Sequence, residues 1–121
     1  MMLKLMIDEM SYKEKPTGAE IGKIQNRLGQ QSALKEVTIE QLCSYIEKGY
    51  TFCPAVTIGG MKNEDWRQQQ LICIDVDNDN DKIITPEEAV NLLEKVNIHT
   101  MGYYHTFSST SELPKFRLLF L

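Results

Sequence analysis

Asp75-Val76-Asp77-Asn78 follows a run of apolar residues, Leu71-Ile72-Cys73-Ile74. Two carboxylates separated by one residue on an extended chain point to the same face. Asp75 and Asp77 are therefore expected to project together, about 6–7 Å apart along a strand. Carboxylates so placed can share one or two Mg²⁺ or Mn²⁺ ions, which keep waters and take phosphate oxygens as their remaining ligands. Two-metal phosphoryl transfer uses an acidic platform of this kind on a rigid element. The carboxyl end of a strand is also where open sheets present ligands. Asp75 and Asp77 are the predicted metal ligands and catalytic acids.

The same acids allow a second chemistry. Counted from Asp77, acids fall at loop positions 1, 3 and 5 (Asp77, Asp79, Asp81), with Thr85 at position 9 and Glu88 at position 12. That is close to a calcium loop of the EF-hand type. Lys82 stands where the sharp turn wants glycine, and the incoming segment reads as a strand instead of a helix. The plainest reading is a solvated loop that caps a helix, since Asp and Asn are common in turns. Four acids between Asp75 and Asp81 would repel one another, however.

A second constellation lies downstream. Tyr103-Tyr104-His105-Thr106-Phe107 reads as an aromatic strand that runs into hydroxyls at Ser108 and Ser109, and the chain returns with Lys115 and Arg117. Hydroxyls and cations facing an acidic platform make a phosphate-binding wall. Trp66 and Arg67 lie in a polar stretch; a base could stack on Trp66, but packing into the core is the plainer expectation. His99 reads as a surface partner of a helix end.

These groups need elements to position them. Residues 2–8 suggest a first strand. Ile21, Ile24 and Leu28 recur at helical spacing from Ala19, and Gly29 stops that helix. Residues 30–37 read as a polar connection. Thr38 with Gln41 has the capping-box spacing, and Ile39, Leu42, Cys43 and Ile46 form the stripe expected to be buried. Phe52 to Ile58, interrupted by Pro54, reads as an edge strand. Residues 61–69 are polar. Gln70 to Val76 reads as a central strand covered on both faces. Thr85, Pro86 and Glu88 open a third helix with Ala89, Leu92, Leu93 and Val96 on its apolar face. Strands over Met101–Phe107 and Phe116–Leu121 flank a polar turn. The expectation is an α+β fold, a central mixed or antiparallel sheet with two to three helices, in one domain over residues 1–121.

Composition narrows the class. At 42% hydrophobic and 25% charged, the chain reads as an ordinary soluble globular protein. No apolar run approaches the roughly 18 residues that span a bilayer. The opening Met1-Met2-Leu3-Lys4-Leu5-Met6-Ile7-Asp8 lacks the pattern of a signal peptide, so a cytoplasmic protein with no membrane partner is expected. The net charge of −4 argues against a broad basic surface for coating nucleic acid. Cys43, Cys53 and Cys73 lie in apolar surroundings with no CxxC pair and read as buried free thiols.

Taken together, Gln68-Gln69-Gln70-Leu71-Ile72-Cys73-Ile74-Asp75-Val76-Asp77-Asn78, Ile84-Thr85-Pro86-Glu87-Glu88-Ala89, Tyr104 to Thr110 and Pro114 to Phe120 resemble the N-terminal part of primase-polymerase-like replication proteins of phages and plasmids, which are similar to the archaeo-eukaryotic primase superfamily. The resemblance covers residues 50–121. It implies an RRM-like primase core fragment and template-directed nucleotidyl transfer with Mg²⁺ or Mn²⁺. It also implies nucleotide and single-stranded or primed DNA as partners, with a helicase-type replication domain further along the protein. The family's first acidic pair corresponds to Asp75 and Asp77. Its nucleotide-phosphate motif falls near Ser108 and Ser109, with His105 close by, and its basic residue corresponds to Lys115 or Arg117. The chain departs from the family where Ser109 stands in a position often held by histidine. A further acid on a later strand is also missing, so this chain alone is expected to bind and not to turn over. A non-enzymatic phage-type interaction or inhibitor protein acting through an acidic surface is the competing expectation.

Overall fold

The computed structural model covers residues 1–121. The fold is α+β, with three helices and three small antiparallel sheets. The single central sheet expected from the sequence is replaced by these three. Two compact units divide the chain, Met1–Leu71 and Ile72–Leu121. No helix is long and apolar enough to cross a membrane.

The first unit runs β1 (Leu3–Ser11), α1 (Gly18–Leu28), β2 (Leu34–Val37), α2 (Ile39–Glu47), β3 (Tyr50–Cys53), β4 (Ala55–Thr57) and β5 (Trp66–Gln69). β1 is the middle strand of the order β2-β1-β3, and its Leu3, Leu5, Met6 and Ile7 are all buried. Met6 packs with Ile24 and Leu28 of α1, Ala33 and Val56. Pro54 separates β3, which pairs with β1, from β4, which pairs with β5.

Helix starts follow local chemistry. Thr17 caps α1 by accepting from the Glu20 N–H, and the Glu20 carboxylate accepts from the Thr17 N–H, so both halves of a capping box form. Thr38 and Gln41 do the same for α2. At α3 (Pro86–Glu94) only the Thr85 half forms.

Several expectations need correction. Cys43 is exposed, because the buried face of α2 centres on Leu42. Ile21, placed on the apolar stripe of α1, is exposed. Trp66 is half exposed on β5 and not in a core; its indole N–H donates to the Gln69 side chain at 3.2 Å. In α3 the buried residue of the apolar face is Ala89, whereas Leu92 is exposed, and Val96 lies exposed beyond the helix end at Glu94. The polar stretches 30–37 and 61–69 each contain a strand, β2 and β5.

The second unit runs β6 (Ile72–Asp77), α3, β7 (Gly102–His105) and β8 (Lys115–Phe120). The strand order is β6-β8-β7, so β6 is an edge strand and β8 is the middle one. Gln70–Val76 is therefore not the central covered strand, and Ile72 and Ile74 are about half exposed. Phe116 and Leu118 of β8 are buried against Ala89, with Val76, Ile84, Val90, Leu93 and Phe120 packed around them. The α3 side of this sheet is thus its apolar side.

Candidate functional site

Cross-strand register decides which side chains share a face. Asp75 pairs with Arg117, and Arg117 with Tyr104. Asp77 pairs with Lys115. Directly opposed residues project to the same side, as do residues two apart on one strand. Asp75, Asp77, Tyr104, Lys115 and Arg117 therefore lie on one face. Val76, Phe116 and His105 form a row on the other, the α3 side.

Arg117 organises the first row. Its Nε donates to Asp75 Oδ1 at 2.5 Å and its Nη2 to Oδ2 at 3.3 Å. Its Nη1 donates to the Tyr104 hydroxyl at 2.8 Å, and the guanidinium carbon lies 5.7 Å from the Tyr104 ring centroid. A fork of this kind is the strong geometry for an arginine and a carboxylate. Burial alone would lower the pKa of the guanidinium, but Asp75 and the Tyr104 hydroxyl more than offset that and raise it. The Tyr104 phenol is itself pushed up, first by burial, while Arg117 acts in the opposite direction. The Asp77 side chain, by contrast, is exposed and makes no hydrogen bond or ion pair.

Asn78 closes the end of β6. It is buried, and its amide nitrogen donates to the Ile84 carbonyl at 2.8 Å and the Pro114 carbonyl at 2.6 Å. Its carbonyl accepts from the Ile84 N–H at 2.8 Å. One side chain thus ties the acidic loop both to the approach of α3 and to the start of β8. Within the loop, the Asp79 carboxylate accepts from the Asp81 N–H at 2.9 Å and the Lys82 N–H at 3.3 Å, a local turn bond.

The remaining candidates lie elsewhere. His105 packs edge-on to Tyr103 and Phe116, and its Nδ1 is 3.1 Å from the Ser109 hydroxyl. The Ser109 oxygen accepts from the Lys115 N–H at 2.9 Å and so helps build the turn. Ser108 lies in the same turn and makes no hydrogen bond. Beside His105, the Tyr103 hydroxyl donates to Glu87 of α3 at 2.8 Å. That bond raises the Tyr103 phenol, and Glu87 is held low, first by a backbone N–H at the helix start and then by Tyr103. His99 pairs with Glu94 at the end of α3.

The structure therefore splits the expected set. Asp75, Asp77, Lys115 and Arg117 come together, His105 takes the opposite face, and Ser108 and Ser109 occupy the turn. Sequence reasoning missed Tyr104 and Asn78. The signal for Tyr104 was its place next to His105, since neighbours on a strand face opposite ways. For Asn78 it was an amide directly after the strand, where turn-building side chains collect.

As a metal site this face is incomplete. No group of three or more His, Cys, Asp or Glu side chains gathers that could hold an ion. One of the two carboxylates is already held by Arg117. Mg²⁺, though, is commonly bound by one or two carboxylates together with substrate phosphates and waters. The residues fit an ion that arrives with phosphates and do not fit a preformed cage. No protein-family model matches the chain, and no curated protein or solved structure matches it. What fold and site define is an α+β protein with a mixed acidic and basic sheet face.

Proposed function

We propose that this face binds nucleotide phosphates together with Mg²⁺ or Mn²⁺, as part of a primase-polymerase-like replication protein. One observation carries the proposal: the ladder sets Asp75 against Arg117 and Asp77 against Lys115 on a single face. Carboxylates for a cation and cations for phosphate oxygens are both within reach of one ligand there. Bound divalent metal would neutralise phosphate charge next to Asp77, the carboxylate with no partner of its own. Lys115 and Arg117 supply positive charge along the next strand, and Tyr104 steadies Arg117 from behind. The three-stranded sheet with α3 on its other side would form part of an RRM-like core. Single-stranded or primed DNA and a helicase-type domain belong to the same proposal.

Calorimetric titration of the whole chain with dATP, with and without Mn²⁺, tests this. The expected result is binding that requires Mn²⁺ and weakens by about tenfold or more in Asp77→Asn. The Asp77 side chain makes no bond within the fold, so that variant should fold normally. Absence of Mn²⁺-dependent dATP binding, or equal binding by Asp77→Asn, would overturn the proposal. Tight Ca²⁺ binding lost in Glu88→Ala would move the assignment to the loop from Asp77 to Glu88.

A further inference from the structure

The first unit contains a cavity of about 270 Å³ beside the end of β1. Asp8, Glu9, Arg27, Lys35, Tyr45 and Tyr50 are among the residues around it. Its origin lies in the strand pairing. β2 pairs with β1 only from Leu3 to Met6, so β1 runs on past the end of its neighbour.

The wall is built around a buried charge. The Asp8 side chain is fully buried, while that of Arg27 keeps 22% of its surface exposed. Arg27 Nε donates to Asp8 Oδ1 at 2.6 Å, and Nη2 donates to Asp8 Oδ2 at 2.9 Å. Nη2 also donates to the Tyr12 hydroxyl at 2.9 Å. Two of the three guanidinium nitrogens are therefore fixed from behind. Nη1 makes no hydrogen bond within the protein. The Nη1 edge thus keeps its donors for solvent or for a ligand in the cavity. Such an arginine is pre-organised to take an oxyanion, at little cost in side-chain freedom.

The rest of the lining agrees with that chemistry. Lys35, on exposed β2, lines the same cavity, and its ammonium makes no ion pair or hydrogen bond. Tyr45 and Tyr50 meet edge to face, with centroids 5.2 Å apart and planes at 87°. They offer an aromatic surface to the body of a ligand. Asp8 cancels Arg27, and Glu9 balances Lys35 in number, so the lining has no net positive charge to hold a polyanion, and an anionic group would be held by the donors of Arg27 Nη1 and Lys35. The volume holds a molecule of about nine non-hydrogen atoms, given roughly 30 Å³ per liquid water.

We propose that this cavity binds a small organic oxyanion, a carboxylate or phosphate monoester on a flat body, with Arg27 Nη1 and Lys35 on the anionic group and the tyrosines against the body. All the residues around the cavity belong to the first unit. The test is a ¹⁵N-detected NMR titration of the whole chain with benzoate, phenyl phosphate and, as the neutral isostere of benzoate, benzamide. Expected are saturable shifts at Arg27, Lys35, Tyr45 and Tyr50 with at least one anion and none with benzamide. Response to one anion alone identifies which group the site prefers. Lys35→Met should weaken binding about tenfold. Lys35 is exposed on an edge strand, so this variant leaves the fold intact where Arg27→Met endangers it. No saturable shift with either anion, equal shifts with benzamide, or unchanged affinity in Lys35→Met would each overturn the proposal.

Discussion

Gly49→Ala lowers the unfolding free energy by about 2–3 kcal/mol, from left-handed backbone strain of about 1–2 kcal/mol plus a lost hydrogen bond of about 1 kcal/mol. Gly49 has φ +85°, a region that side chains with a Cβ enter only with strain. A Cβ there would also lie 1.9 Å from the Tyr12 carbonyl oxygen. The obstacle is backbone and cannot rotate away. The Tyr12 N–H donates to the Gly49 carbonyl at 2.9 Å, so relieving the clash pulls apart the bond that joins the end of β1 to the start of β3. Gly22 is the control. It sits inside α1 at ordinary φ, and a Cβ would meet nothing within 4 Å. Gly22→Ala should stabilise by about 1 kcal/mol through helix propensity. Urea denaturation of both variants checks the pair, and a Gly49→Ala midpoint equal to the wild type would refute the account.

Asn78→Ala destabilises the second unit by about 2–4 kcal/mol. The substitution leaves the Ile84 N–H, the Ile84 carbonyl and the Pro114 carbonyl without their partner. Each hydrogen bond is worth about 1 kcal/mol net, and the stranded, partly buried groups add to the loss. Asn78→Asp tests the geometry more sharply. A carboxylate can still accept from Ile84 N–H, but it has no hydrogens for the two carbonyls and sets negative charge against their oxygens. It should cost at least as much as the alanine. Thermal unfolding followed through resolved NMR signals of Tyr103 and Tyr104 measures both. A tolerated aspartate would mean that the amide is not what holds the loop.

Legibility in the sequence follows the source of each element's stability. α2 and α3 announce themselves through Thr38 with Gln41 and Thr85 with Pro86, because caps are local chemistry. The capping box Thr17–Glu20 was equally local, and a helix start placed at Ala19 by periodicity passes over it. β2 and β5 are different. Leu34-Lys35-Glu36-Val37 and Trp66-Arg67-Gln68-Gln69 are largely exposed, and only their backbone ladders make them strands. A ladder leaves no mark in side-chain pattern. The same limit applies to the candidate site. That Asp75 and Asp77 share a face follows from strand parity. That Arg117 and Lys115 join them while His105 does not depends on register across β6, β8 and β7, and parity within one strand does not set that.

The register also has a kinetic meaning. Arg117 lies 13 residues from Tyr104 but 42 from Asp75. Closing the longer loop costs about 1 kcal/mol more in chain entropy. The β7–β8 hairpin should consequently pair early in folding, with Arg117 already on Tyr104, and β6 should dock afterwards. Conservative substitutions in β6 would then speed unfolding and leave the folding rate nearly unchanged; a marked slowing of folding would reverse that order. The strand that carries both carboxylates is on this account the last to arrive and the first to leave.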